Sequence, residues 1–247
     1  MTRSKLPKHY VRLPMLLLAV LWNFSAFGFH HANHSQFDLR DRDFAEQGPV
    51  ALDGEWDFYW KQIVHPEPFD FQGVDPVKVR VPGGWNNDKE DSSFSGYGFA
   101  TYHTHVLLKD TEIQWALKIE NILTNFKIFV NGVLVASSGK VGPVEDMRGD
   151  VRHPVIISDS FQGSSLEIVI HVSNYTHARS GLYRPIILGQ SKTIKTQVFK
   201  DIAFEMFLFG SIVIIGFFHL VRYLYRKEDR ANLYFGLMCF LFSLRVS

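Results

Sequence analysis

The sequence predicts a mainly β protein: a two-sheet β-sandwich outside the cytoplasm, followed by transmembrane α-helices. Three observations carry this. Segments of alternating apolar and polar residues recur along the chain up to Leu188, which is the pattern of half-buried strands. An Asn131-Gly132 pair splits one such segment into a hairpin. The stretch Met206 to Tyr225 is apolar and carries no charge before Arg222, long enough for a helix to cross a bilayer.

Taken in order, the 247-residue chain opens with Arg3, Lys5, Lys8 and Arg12, then a short apolar run from Leu13 to Trp22. Ala26-Phe27-Gly28 places small residues where a signal peptidase reads, so residues 1–28 are expected to be a secretory signal. An uncleaved anchor is the alternative. His30, His31 and His34 follow and are assigned to a solvated start of the mature chain rather than to metal binding.

Strands are expected at Glu55 to Trp60, Val77 to Val81, Thr101 to Leu108, Ile113 to Ile119, Leu166 to Val172 and Val155 to Ser158. Phe126 to Ala136 is the hairpin, with Asn131 and Gly132 tolerating positive φ at the turn. Gly and Pro punctuate these segments, no amphipathic helix intervenes, and the pattern is that of a sandwich. The only cysteine, Cys239, falls in the apolar tail, so no disulfide framework supports the exported part. A net charge of +1 leaves no basic stripe for nucleic acid, which is excluded as a partner.

Residues 29–190 are therefore a periplasmic domain and 191–203 a stiff connector without Gly or Pro. Residues 204–225 are a first transmembrane helix and 226–230 a cytoplasmic loop, because Arg222, Arg226, Lys227 and Arg230 mark that end as cytoplasmic. Residues 231–247 begin a second span, and the chain reads as the N-terminal part of a longer polytopic protein of the bacterial inner membrane.

Four stretches together resemble the galactose-binding-like jelly-roll domain of β-galactosidases and β-glucuronidases. They are Leu52-Asp-Gly-Glu-Trp-Asp-Phe58, Val81-Pro-Gly-Gly-Trp-Asn86, Phe129-Val-Asn-Gly-Val133 and Gly181-Leu-Tyr-Arg-Pro-Ile186. The membrane part, through Gly216-Phe-Phe-His-Leu220, Arg226-Lys-Glu-Asp-Arg230, Leu233-Tyr-Phe-Gly236 and Leu244-Arg245, resembles the bacterial seven-transmembrane receptors with diverse intracellular signalling modules. That resemblance implies a sensor with a jelly-roll ectodomain. Its cytoplasmic output would be a diguanylate cyclase, histidine kinase or adenylate cyclase beyond this sequence. The alternatives are an accessory sugar-binding domain of a membrane-anchored carbohydrate-active enzyme, or a periplasmic protein-interaction module.

Site candidates follow from residue type. Trp85, placed in a loop after Pro82-Gly83-Gly84, is expected to be exposed and to stack on a ligand, together with His177, Arg179 and Tyr183. Trp56 and Trp115 are assigned to the core. Asp53, Trp56, Asn131, Gly132 and Arg184 are assigned structural roles, Arg184 by pairing with Asp53, Glu55 or Asp57. These carboxylates alternate on one strand without a cleft, so no catalysis is expected of this fragment. His103 and His105 share a strand face but have no third ligand nearby in sequence, and neither metal nor cofactor is expected. In the span, Glu205, Phe209, Ile212, Gly216, His219 and Tyr223 fall on one stripe, and Arg245 lies deep in the next apolar run. The expected partners are a small ligand, carbohydrate foremost, then membrane lipid, the other helices of the same chain and a second copy in a homodimer.

Overall fold

The computed structural model describes residues 35–66, 76–86, 94–109, 112–120, 122–143 and 155–246. The expected signal segment, His30, His31 and His34 and the Arg245 side chain lie outside what is described. Fourteen strands come first among the described residues: β1 (Gln36–Asp38), β2 (Val50–Ala51), β3 (Gly54–Trp60), β4 (Val77–Val81), β5 (Gly83–Gly84), β6 (Gly98–Leu107) and β7 (Trp115–Ile119), then β8 (Ile122–Leu123), β9 (Asn125–Val130), β10 (Val133–Ser138), β11 (Val155–Phe161), β12 (Ser165–Asn174), β13 (Gly181–Leu182) and β14 (Ile187–Gln190). Two helices follow, α1 (Ser191–Tyr225) and α2 (Arg230–Val246).

The large sheet runs β10-β9-β12-β6-β3-β4, with β1 parallel to the end of β6 that β3 does not reach. A four-stranded sheet, β11-β7-β14-β2, contributes Trp115, Leu117, Ile119 and Leu188 to the same hydrophobic cluster as Trp56, Phe58, Ile168 and Ile170 of the large sheet. A small sheet, β5-β13-β8, joins the segments around Gly83, Gly181 and Ile122. The hairpin forms as expected. Asn131 and Gly132 have φ of 48° and 79°, matching the handedness that a two-residue turn requires between twisted strands.

One expectation needs correcting. Leu166, Ile168, Ile170 and Val172 do face the core, but β12 is not half-buried, because Val169, His171 and Ser173 on its other face are buried as well. The segment after β3 reaches His171, and Ser173 donates through its hydroxyl to the Lys140 carbonyl beyond β10 at 3.4 Å. In the segment after β3, the Gln62 carbonyl accepts from the Thr101 hydroxyl at 2.8 Å, and the Val64 carbonyl accepts from His171 Nε2 at 2.8 Å. A strand central to a sheet loses its polar alternation once a loop roofs its outer face.

The connector is no separate element. Helix α1 begins at Ser191, one residue after β14 ends, and continues through the apolar stretch for 35 residues. It is the one described helix long and apolar enough to cross a membrane, and only 6% of its most apolar window is buried. Helix α2 is a shorter apolar helix that folds back on α1.

Candidate functional site

The junction between sandwich and helix is built without a side-chain cap. Gln190 is extended and offers no capping hydrogen bond, yet the first N–H of α1, from Ser191, donates to the Gln114 carbonyl at 2.8 Å. The carbonyl just before β7 thus satisfies a donor that a helix start leaves without a partner. Ile194 is fully buried against the sandwich. Gly189 allows that approach, since a Cβ there would stand 3.0 Å from Pro49 and 3.2 Å from Ile194 Cδ1. Two turns further on, Asp201 pairs with Lys118 of β7 at 3.2 Å, and Lys118 also holds Glu120 at 3.0 Å.

A cleft of about 560 Å³ opens beside this junction, reaching from the turn at Arg40 and Arg42 to Lys109, Glu112, Trp115 and Gln190. A second hollow of about 480 Å³ shares Ile113 and Gln190 and extends along Lys192 and Lys195 of α1. The first mixes cations and carboxylates around an aromatic wall. Among the described residues the buried Trp115 Nε1 finds no hydrogen-bond partner, while Phe44 packs edge-on against the indole at 4.7 Å. Trp115 is a core residue, as its place on an alternating strand predicts, and it also backs this cleft, which no local pattern signals.

The residues expected to bind ligand collect elsewhere, around the loop after β12. Asn174, buried, donates through Nδ2 to the carbonyls of Gly96, His177 and Arg179, and its Oδ1 accepts from the His177 N–H at 3.1 Å. Asn86 Nδ2 ties the Ala178 carbonyl to the Trp85 loop at 2.9 Å. His177 and Arg179 therefore share one pinned, exposed turn. Neither borders the two hollows.

Trp85 does not fit its expected role. It is 3% exposed, its Nε1 donates to the Ser95 carbonyl at 2.8 Å, and it packs against Phe58, Trp60 and Tyr102. The turn after Gly84 folds the indole inward because burying an aromatic face outweighs its exposure in a loop. Tyr183 is half-buried, and its hydroxyl accepts from the Ser180 N–H at 3.1 Å beneath Gly84. Arg184 is exposed and is not the expected lock between first and last strands. Among the described residues, Asp57 pairs instead with Lys78 and faces His103. Trp56 is fully buried, and its Nε1 donates to the Leu52 carbonyl at 3.1 Å. Asp53 is partly buried where the chain enters β3.

His103 and His105 have the third ligand-type residue that their local sequence lacks. Glu167 of β12 sits opposite His105 in register, and its Oε1 lies 3.3 Å from Nε2 of each imidazole. Burial lowers the His103 pKa below its ordinary value, and the facing Glu167 and Asp57 oppose that shift.

In the helices, Phe209, Ile212, Gly216, His219 and Tyr223 are covered to varying degrees, whereas Glu205 is exposed. Gly216 meets Gly236 at the crossing: a Cβ on Gly216 would stand 3.2 Å from Cys239 Cβ, and one on Gly236 3.0 Å from the Gly216 carbonyl. His219 Nδ1 donates to Asn232 Oδ1 at 2.8 Å, and Asn232 Nδ2 donates to Asp229 at 2.6 Å.

No protein-family model and no curated protein matches the chain. Among solved structures, it is similar to β-glucuronidase from Ruminococcus gnavus in complex with D-glucaro 1,5-lactone. That match has 16% identity and a TM-score of 0.42, covering 57% of this chain and 29% of that one. The Faecalibacterium prausnitzii β-glucuronidase aligns at 15% identity and a TM-score of 0.45, covering 58% and 31%. The GH2 β-galacturonidase from Eisenbergiella tayi bound to galacturonate aligns at 16% and 0.39, covering 57% and 24%. The chain spans less than a third of the length of these glycosidases.

Proposed function

We propose that this chain is the sensory N-terminal part of a bacterial transmembrane receptor. Its periplasmic jelly-roll domain recognises a small polar ligand, carbohydrate foremost, and α1 carries the bound state into the membrane toward a cytoplasmic output. The direct run of β14 into α1 supports this role above all. A tethered binding module needs only a loose linker, whereas here the last strand, the Gln114 carbonyl just before β7, Ile194 and the Lys118–Asp201 pair all hold the helix root. At 1.5 Å per residue the 35-residue helix is about 52 Å long, against a hydrocarbon core of about 30 Å, so its first turns stand clear of the bilayer as a stalk.

The cleft beside Trp115 and Gln190 is the place for the ligand. An occupant there touches both the sandwich and the residue from which α1 departs. Its mix of cations and carboxylates suits a polyhydroxylated molecule, which both donates and accepts hydrogen bonds. The domain binds and does not cleave. A ligand shifts the receptor only by its differential affinity for two arrangements of α1 against the sandwich.

The test uses the chain in nanodiscs and a panel of galactose, glucuronate and galacturonate. Cys239, the sole cysteine, is buried at the α1–α2 crossing and reports its opening through thiol labelling. A panel member should raise the melting temperature and alter the Cys239 labelling rate, and Trp115→Phe or Arg42→Met should weaken both effects. A Gly-Ser-Gly insertion after Thr196 should keep the melting shift and abolish the labelling change. Binding with no change at Cys239 would overturn the sensor and favour the accessory sugar-binding domain.

A further inference from the structure

We propose that His103, His105 and Glu167 form a site for a divalent transition-metal ion of the zinc class on the outer face of the large sheet. The three donor atoms lie within 4.8 Å of one another, on two adjacent strands whose register is already set. Zinc–nitrogen and zinc–oxygen bonds of 2.0–2.2 Å place the corners of a tetrahedral site about 3.3–3.5 Å apart. Glu167 Oε1 lies 3.3 Å from Nε2 of both His103 and His105. In the metal-free chain His103 Nε2 makes a long hydrogen bond to Glu167 Oε1 at that separation, which is also the edge length of a metal site.

The surroundings match the chemistry. Two imidazoles and one carboxylate are a borderline donor set, chosen by zinc and its neighbours rather than by calcium or magnesium, which take oxygen ligands. Asp57 of β3, directly opposite His103 in register, places Oδ2 3.5 Å from His103 Nδ1. A carboxylate behind a ligating imidazole is the usual outer partner, and from 3.5 Å Asp57 would close to hydrogen-bond length on Nδ1 as the metal binds Nε2. Lys78 of β4 pairs with Asp57 and so holds that carboxylate in place. The His103 side chain is 10% exposed and that of His105 43%, so the fourth position opens toward solvent on the His105 side. The site is separate from the ligand cleft and would brace β6 against β12 whatever that cleft binds.

The experiment takes the full chain in nanodiscs, stripped with a chelator, in a His30→Ala, His31→Ala, His34→Ala background so that the N-terminal histidines contribute nothing. Calorimetric titration with Zn²⁺ should show one saturable site and a higher melting temperature. Glu167→Gln and His105→Ala should each weaken binding by at least about tenfold, and Asp57→Asn by about 10–100-fold. Glu167→Gln is nearly isosteric, and its metal-free melt confirms folding. Absence of saturable binding in the background chain would overturn the site. So would unchanged affinity in Glu167→Gln and His105→Ala, or Ca²⁺ binding as tightly as Zn²⁺.

Discussion

Asn174, the last residue of β12, organises the loop that follows it. It spends both amide hydrogens and its oxygen on backbone groups of the Gly96 and His177 turns. Asn174→Ala leaves those carbonyls without a donor. It should lower unfolding stability by about 1–3 kcal/mol, read from urea midpoints, with the Arg179 turn more susceptible to proteolysis. His171 sets a pH dependence. Burial lowers its pKa below the ordinary 6.5, opposed by the Val64 carbonyl and reinforced by the nearby charges of His65 and Lys127. The unfolded chain then binds a proton in a pH range where the native chain does not. This contribution is complete above about pH 6.5 and is lost as pH falls through the lower native value. Stability should decline on acidification at no more than about 1.4 kcal/mol per pH unit from this group, and His171→Gln should flatten that part of the profile.

At the scale of elements, the α1–α2 crossing depends on two glycines. A side chain at Gly216 meets Cys239, Phe240 and the Gly236 carbonyl within 3.3 Å, so Gly216→Leu must push the helices apart. Cys239 labelling should then accelerate, whereas Gly210→Leu, with nothing within 4 Å of its Cβ, should leave the rate unchanged. The β9–β10 turn offers a second test. Gly132 holds φ at 79°, so Gly132→Val should cost about 1–2 kcal/mol, seen as a lower melting temperature without loss of the fold.

Across the whole molecule, the chain passes from β14 into α1 without an intervening loop. The Lys118–Asp201 pair is largely solvated on the Asp201 side, which is 55% exposed, and such pairs contribute only about 0–1 kcal/mol. Lys118→Met should therefore leave the melting temperature nearly unchanged while increasing the mobility of a spin label at Lys200. Val198→Pro, which breaks the helix between its buried root and the apolar stretch, should uncouple the two parts at a local cost of about 3 kcal/mol.

Much of this fold was legible because backbone periodicity is a local property. Alternation marked β3, β4, β6, β7 and β12, Asn131-Gly132 marked the hairpin, and hydropathy marked the apolar part of α1. The short strands β2, β5, β8 and β13 carried no signal, since two residues have no period and pair only because the sandwich brings them together. Side-chain fates were equally nonlocal. Trp85 turned inward because Phe58, Trp60 and Tyr102 offered it a buried face, and Asp57 of β3 met Lys78 and His103 rather than Arg184. The sequence alone determined where the longer strands lie, where the apolar helix runs and that, with one cysteine, no disulfide within this chain staples the sandwich. Tertiary structure decided which residues meet. Strand register set Glu167 beside His103 and His105, and the Gln114 carbonyl, Ile194 and the Lys118–Asp201 pair fixed the root of α1 to the sandwich, because contacts between residues far apart in sequence arise only once the chain is packed.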